Sequence, residues 1–298
     1  MTDIKQFSSL KDALRSLFGA KTKVKTSDRI AGGDINEAFE LTLTTGERVF
    51  MKSNDSPDAS FFAAEAAGLT AISQTGTIGT PHILAYGTDG GKAFLLLEHI
   101  SEKSKISGYW ETFGEQLARM HTVDAKEYVT DGTYGFNGNN YIGHTEQINT
   151  PHNDWRSFFR ECRLDVQFRM AERYFDTQEY WQINKLLERL DDLLIEPERP
   201  SLLHGDLWSG NFMTGNDGKA WLIDPAVYVG HAEADIAMTE LFGGFPPAFY
   251  AAYREIAPIQ AGYGDRRDLY NLYQLLNHLN MFGESYLSSV KRIIKKYV

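Results

Sequence analysis

Residues 204–211 read HGDLWSGN and residues 222–226 read LIDPA, so Asp206 and Asn211 stand five apart (211 − 206) and Asp224 follows eighteen residues after Asp206 (224 − 206). A loop carboxylate can accept the proton of an attacking hydroxyl, while an amide carbonyl oxygen and a second carboxylate suit a hard cation such as Mg2+. Those residue types point to phosphoryl transfer, which also needs a cradle for the phosphates and a cation over their oxygens. Candidates for both lie earlier in the chain. AGGDINEAF (31–39) falls between two expected strands and holds Gly32 and Gly33, where backbone N–H groups could approach phosphate oxygens. Lys52 ends the run RVFMK, thirteen residues before Glu65 (65 − 52) in a helix-forming stretch. Singly, each is ordinary: a Gly-Gly hairpin turn is commoner than a phosphate loop, and a strand-end lysine is usually a solvated charge. Their order, a Gly loop followed by a strand lysine and a helix glutamate able to pair with it, is what a nucleotide-phosphate site requires.

Two neighbours of the base are open to more than one reading. His204 reads as a buried, hydrogen-bonded residue that holds the loop rather than a proton shuttle. Trp208 suits either ordinary core or the wall of an acceptor pocket, since aromatic faces pack on sugar C–H surfaces. A zinc site from His204, Asp206 and His231 is the poorer alternative, because it leaves the Gly loop, Lys52 and Glu65 unexplained.

The elements that must position these residues change character partway along. KVKTSDRI, the alternating Phe39, Leu41 and Leu43, and RVFMK read as an antiparallel meander. SPDASFFAAEAAGLTAIS follows with helix formers, and HILAYGTDGGKAFLLLEHI reads as two strands around an Asp-Gly-Gly turn. The expectation is a five-stranded antiparallel sheet with one helix over residues 1–100, a hinge at about 98–104, and a larger, mainly helical region over 104–298: an α+β fold. YWETFGEQLARMH opens the helical part with Trp110, Phe113, Leu117 and Met120 on one face. Residues 201–224 are expected as short loops and strands, with WLI delivering Asp224. The Gly-, Asn- and Thr-dense stretch TDGTYGFNGNNYIGHTEQINTPHND (130–154) reads as a long ordered loop, a class that is usually functional or disordered.

Composition sets outer limits. A chain of 298 residues with 42% hydrophobic and 13% aromatic content can bury a large core. The net charge of −10 argues against a nucleic-acid surface, and the basic C-terminal KRIIKKYV reads as a solvated helix face. The single cysteine, Cys162, allows no disulfide within the chain. No apolar run reaches the ~18 residues of a membrane span, and the N-terminal stretch lacks the apolar core of a signal peptide. The expectation is a soluble cytoplasmic protein without membrane or nucleic-acid partners; monomer is the working assumption for its oligomeric state.

GGDINEAF, FMK, FFAAEAAGL, FLLLEHI, HGDLWSGN, DPAVYVGHAEADIAMTELFGGF and LYNLYQLLNHLNMFG together resemble the fructosamine kinase family over nearly the whole chain. These ketosamine 3-kinases share the two-lobed fold of protein kinases and aminoglycoside phosphotransferases. The resemblance implies ATP-dependent phosphorylation, with Mg2+, of the 3-hydroxyl of a ketosamine carried by a small molecule or a glycated protein. The unstable 3-phosphate then releases the amine. Bacterial members similar to this sequence often favour ribulosamines or erythrulosamines over fructosamines. The roles carried over are Asp206 as base, Asn211 and Asp224 as Mg2+ ligands, Lys52 as phosphate ligand with Glu65 as its partner, and Trp208 in the ketosamine pocket. Adenine is expected against the backbone of Glu98, His99 and Ile100, with Met213 and Ile223 as apolar flooring. Some eukaryotic relatives carry a redox-active cysteine in the Gly loop; Asp34 and its neighbours supply no thiol here. The rivals are an aminoglycoside, choline or homoserine kinase of the same fold, and an inactive nucleotide-binding scaffold. A protein kinase is disfavoured, since His-Arg-Asp, Asp-Phe-Gly and Ala-Pro-Glu are all missing.

Overall fold

A computed structural model describes residues 4–30 and 36–298. The chain divides into two units, the first Met1–Ser107 with Met213–Asp224, the second Gly108–Phe212 with Pro225–Val298.

The first unit is built on a sheet of strands β1 (Gln6–Phe7), β2 (Val24–Ile30), β3 (Glu37–Leu43), β4 (Arg48–Asn54), β5 (Ile83–Asp89) and β6 (Lys92–Glu98) in the order β1-β5-β6-β4-β3-β2. The sheet thus has six strands rather than the expected five. β1 pairs parallel to β5, whereas the remaining pairings are antiparallel. At two residues it is too short for an alternating pattern to show in sequence. There are also two helices instead of one, α1 (Leu10–Phe18) and α2 (Ser60–Gln74), and they explain why KAFLLLE is apolar throughout. Phe94 and Leu96 pack with Ala13 and Leu14 of α1 on one face, while Ala93, Leu95 and Leu97 pack with Phe62, Ala66 and Leu69 of α2 on the other. A strand covered on both sides has no polar face to alternate. Lys52 pairs in register with Ala38 on one side and Leu95 on the other, so β4 holds it in the middle of the sheet.

The second unit opens with α3 (Tyr109–Thr122), on which Phe113, Leu117 and Met120 are fully buried. The Gly- and Asn-rich stretch is more ordered than a loop, for it contains the hairpin β7 (Asn140–Ile142) and β8 (Thr145–Gln147). Strands of three residues leave almost no period to read. Helices α4 (Trp155–Phe159), α5 (Asp165–Met170), α6 (Thr177–Glu188) and α7 (Leu190–Leu193) follow, α4 and α5 being joined by a π-helical turn at Arg160–Leu164. Next comes β9 (Ser201–Leu203); β10 (Phe212–Thr214) and β11 (Ala220–Leu222) follow in the chain and pair with each other, almost wholly within the Met213–Asp224 segment of the first unit; and the second unit resumes with β12 (Tyr228–Gly230), α8 (Glu233–Leu241), α9 (Pro247–Ile256), α10 (Tyr263–Phe282) and α11 (Leu287–Tyr297). The core gathers Trp155, Phe158 and Phe159 against Tyr270 and Leu276 of α10. Helices α3 and α9 approach closely: a Cβ on Gly114 would lie 2.2 Å from the Phe249 carbonyl oxygen. β9 and β12 pair antiparallel with Leu203 opposite Tyr228, which sets the start of HGDLWSGN beside the segment after Asp224.

Candidate active site

In the first unit, Lys52, Glu65 and Asp224 come together. The Lys52 ammonium donates to Glu65 Oε1 at 2.6 Å and forms an ion pair with Asp224, and the lysine is only 9% exposed. Burial by itself would lower the pKa of the ammonium, but the Asp224 and Glu65 carboxylates outweigh it and hold Lys52 above its ordinary range. Glu65 is pushed up by burial and by the charge of Asp224, against the pull of Lys52. Asp224 has a backbone φ of 54°, in the left-handed region. A non-glycine residue there costs about 1–3 kcal/mol and persists only where its surroundings impose it. The strand before it, β11, is held by the Leu222 N–H donating to the Gly79 carbonyl at 2.8 Å and the Trp221 indole N–H donating to Asp217.

The segment expected to face adenine has bonds of its own. The Glu98 N–H is spent on the His82 carbonyl at 2.9 Å, and the Glu98 carboxylate accepts from the His82 N–H at 3.0 Å. The His99 imidazole pairs with Glu40 at 2.6 Å, which commits its side chain to the sheet. Met213 and Ile223 are half-buried within the same unit. Gly32 and Gly33, with Asp34, lie outside the described residues.

In the second unit the HGDLWSGN loop is pinned from several sides. Asp235 of α8 accepts from the backbone N–H groups of His204 at 2.7 Å and Gly205 at 2.8 Å. His121 Nε2 donates to the same carboxylate at 3.1 Å. Burial would raise the Asp235 carboxyl, but the His121 hydrogen bond, the nearby imidazoles and the Gly205 N–H hold it below the usual carboxylate range. The Gln274 side-chain amide donates to the Gly205 carbonyl at 2.9 Å. Gly205 has a φ of 84°, and a Cβ there would sit 2.0 Å from the Ala226 carbonyl oxygen, so no other residue fits. His204 is fully buried and its Nδ1 accepts the Asp206 N–H at 3.3 Å, the loop-holding role its position suggested. Asp235 and Gln274 were not singled out from sequence; the available sign was an acid inside the buried run AEADIAM and an amide within YQLLNHL.

Asn211 donates from Nδ2 to the Asp206 carbonyl at 2.8 Å and to Asp206 Oδ2 at 3.0 Å. That fixes the base and leaves the Asn211 side-chain carbonyl oxygen for another donor or a hard cation. Trp208 is 38% exposed and meets Phe242 edge-to-face at 6.1 Å, and Phe242 in turn packs on His278 at 5.0 Å. The tryptophan is therefore not core, and it begins an exposed aromatic row two residues past Asp206. His231, the third member of a zinc reading, pairs through Nδ1 with the Tyr270 hydroxyl at 2.7 Å. Among the described residues no group of three or more His, Cys, Asp or Glu side chains could hold a metal. The carboxylate of Asp224 and the carbonyl oxygen of Asn211 are hard oxygen donors of the kind Mg2+ takes.

The fold is that of small-molecule phosphotransferases: a macrolide 2'-phosphotransferase type I superposes with a TM-score of 0.63 at 15% identity, covering 96% of this chain and 95% of that one. The fructosamine kinase family model matches residues 6–298, and the chain belongs to that family. A chloroplastic protein-ribulosamine 3-kinase of Oryza sativa subsp. indica is 39% identical over 283 residues, 94% of this chain and 81% of the relative. A Haemophilus somnus protein whose crystal structure carries the name of a fructosamine-3-kinase superposes with a TM-score of 0.86 at 30% identity, covering 97% of both chains.

Proposed function

We propose that this protein is an ATP-dependent ketosamine 3-kinase that phosphorylates a ribulosamine, erythrulosamine or fructosamine. Membership of the fructosamine kinase family and the name of its ribulosamine 3-kinase relative support the reaction class. The observation that carries it is the buried Lys52 ammonium between the carboxylates of Glu65 and Asp224, an arrangement that serves to hold a cation against phosphate oxygens.

The residues divide the work as follows. Gly32 and Gly33 offer backbone N–H groups to the phosphates, and Lys52, oriented by Glu65, neutralises their oxygens. With the Glu98 N–H already used, adenine takes the Glu98 carbonyl and the Ile100 N–H, and His99 contributes backbone alone. Met213 and Ile223 give apolar contact to the ring. Mg2+, when bound, would supply charge neutralisation for the transferred group; the side-chain carbonyl oxygen of Asn211 and the carboxylate of Asp224 would be its ligands. Asp206, fixed by the Asn211 amide, orients the 3-hydroxyl and takes its proton as the O3–P bond forms and the bond to the ADP oxygen breaks. Trp208 packs on the acceptor. Most of the acceleration comes from positioning and electrostatics. A phosphate on C3 is a good leaving group beside a carbonyl that can enolise, so its loss and release of the amine follow without further catalysis.

Phosphorus NMR of the protein incubated with Mg·ATP and a lysine ribulosamine tests the reaction. The expected result is a sugar phosphate ester signal that appears with ADP and decays to inorganic phosphate. ADP and inorganic phosphate formed at one rate with and without the ribulosamine would contradict it.

A further inference from the structure

Arg163 is fully buried. Its guanidinium lies 4.0 Å from the ring centre of Tyr228 and 4.6 Å from that of Phe158. Nη1 donates to the Ile148 carbonyl at 2.6 Å and the Cys162 carbonyl at 2.9 Å, while Nη2 donates to Asn149 Oδ1 at 2.9 Å. A guanidinium only donates, so it fixes which way the Asn149 amide faces. Asn149 Nδ2 must then point onward, and it donates to Asn140 Oδ1 at 3.0 Å. Asn140 Oδ1 also accepts Gln147 Nε2 at 2.7 Å, and Asn140 turns its own Nδ2 to the Val227 carbonyl at 2.6 Å. The second proton of Gln147 Nε2 reaches the Ala226 carbonyl at 3.0 Å, and Gln147 Oε1 accepts the Tyr273 hydroxyl at 2.8 Å. Each of the five side chains is 4% exposed or less, so water cannot replace a broken link at little cost.

The chain of donors ends on the Ala226 and Val227 carbonyls, and Ala226 meets the loop that carries Asp206. The Ala226 N–H donates to the His204 carbonyl at 2.8 Å, and the Ala226 carbonyl packs on Gly205 so tightly that no Cβ fits. We propose that Arg163, Asn149, Asn140, Gln147 and Tyr273 are positioning residues, whose one-directional hydrogen-bond chain fixes the Ala226–Val227 backbone and through it the loop that carries Asp206. The catalytic part of this inference rests on the kinase reading above. It also accounts for the Gly- and Asn-rich segment, whose hairpin delivers Asn140 and Gln147 to this place.

Gln147→Glu tests it, because a carboxylate of nearly the same shape sets acceptor against acceptor at Ala226 and Asn140. Amide exchange at 204–206 and 226–229 should accelerate about tenfold or more, with α6 and the sheet of the first unit unchanged. kcat for the ketosamine should fall about 10- to 100-fold, while KM for both substrates stays within about threefold. Tyr273→Phe removes one donor at almost constant volume; it should shift both readouts in the same direction by less, and it carries the test if Gln147→Glu does not fold. Unchanged exchange in the two segments, acceleration spread evenly over the protein, or kcat within about twofold of wild type would overturn the inference. The exchange measurement needs no substrate, so a wild-type protein silent on ketosamines would sink the kinase reading while exchange still decides the positioning role.

Discussion

At the residue scale the central feature is one buried cation facing two carboxylates. Removing it should separate its structural and chemical roles. Lys52→Met leaves Glu65 buried without its partner, a change that costs about 3 kcal/mol where the charge is retained, and less as Glu65 takes up a proton. Lys52→Met with Glu65→Gln should recover most of that stability in a denaturant titration, yet turnover should remain depressed about a hundredfold or more in both variants. Recovery of turnover with stability would show that Lys52 serves the fold alone. Asp206, Asn211, Asp224 and Lys52 were singled out from sequence because phosphoryl transfer limits the residue types and their order, and the structure pairs Lys52 with Asp224 and Asn211 with Asp206. Asp235 could not, since an acid in a helix is usually a solvated charge, and its hydrogen bonds to the His204 and Gly205 N–H groups depend on where α8 packs.

At the element scale, what the sequence revealed followed the length of the period. β3, β4, α2 and α3 are long enough for alternation or a helical stripe to show, whereas β1, β7 and β8 have two or three residues and give no period. The same physics hid the second cover of the sheet: a strand buried by α1 and α2 together reads as a plain apolar run. Close helix packing is equally silent in sequence, because Gly114 looks like a weak spot in α3 until the Phe249 carbonyl is seen against it. Gly114→Ala should therefore destabilise by about 1–3 kcal/mol despite the better helix propensity of alanine. Thermal unfolding checks this, and a raised Tm would mean that α3 and α9 can move apart without cost.

At the scale of the whole molecule, the described residues include no helix long and apolar enough to cross a membrane. Stability should depend on pH through His231. Burial, with the Arg266 guanidinium adding to it, lowers this imidazole from 6.5 to about 3. Between those values the unfolded chain binds a proton that the folded chain does not, so the contribution is complete above about pH 6.5 and is lost as pH falls, by at most about 1.4 kcal/mol per pH unit. Unfolding free energies measured from pH 7 to 5 should fall less steeply in His231→Gln than in wild type; equal slopes would contradict the assignment. The fructosamine kinase family match spans 6–298, so membership of the family belongs to the chain as a whole.

Asp206 is the group proposed to receive the proton of a ketosamine hydroxyl. The most direct measurement is ADP release from Mg·ATP with ribuloselysine, fructoselysine, an aminoglycoside and choline in parallel, for wild type and Asp206→Asn. The prediction is turnover confined to the ketosamines and reduced by about three orders of magnitude or more in the variant, with nucleotide affinity retained. Turnover unchanged in Asp206→Asn, or activity on the aminoglycoside or choline with none on either ketosamine, would contradict it.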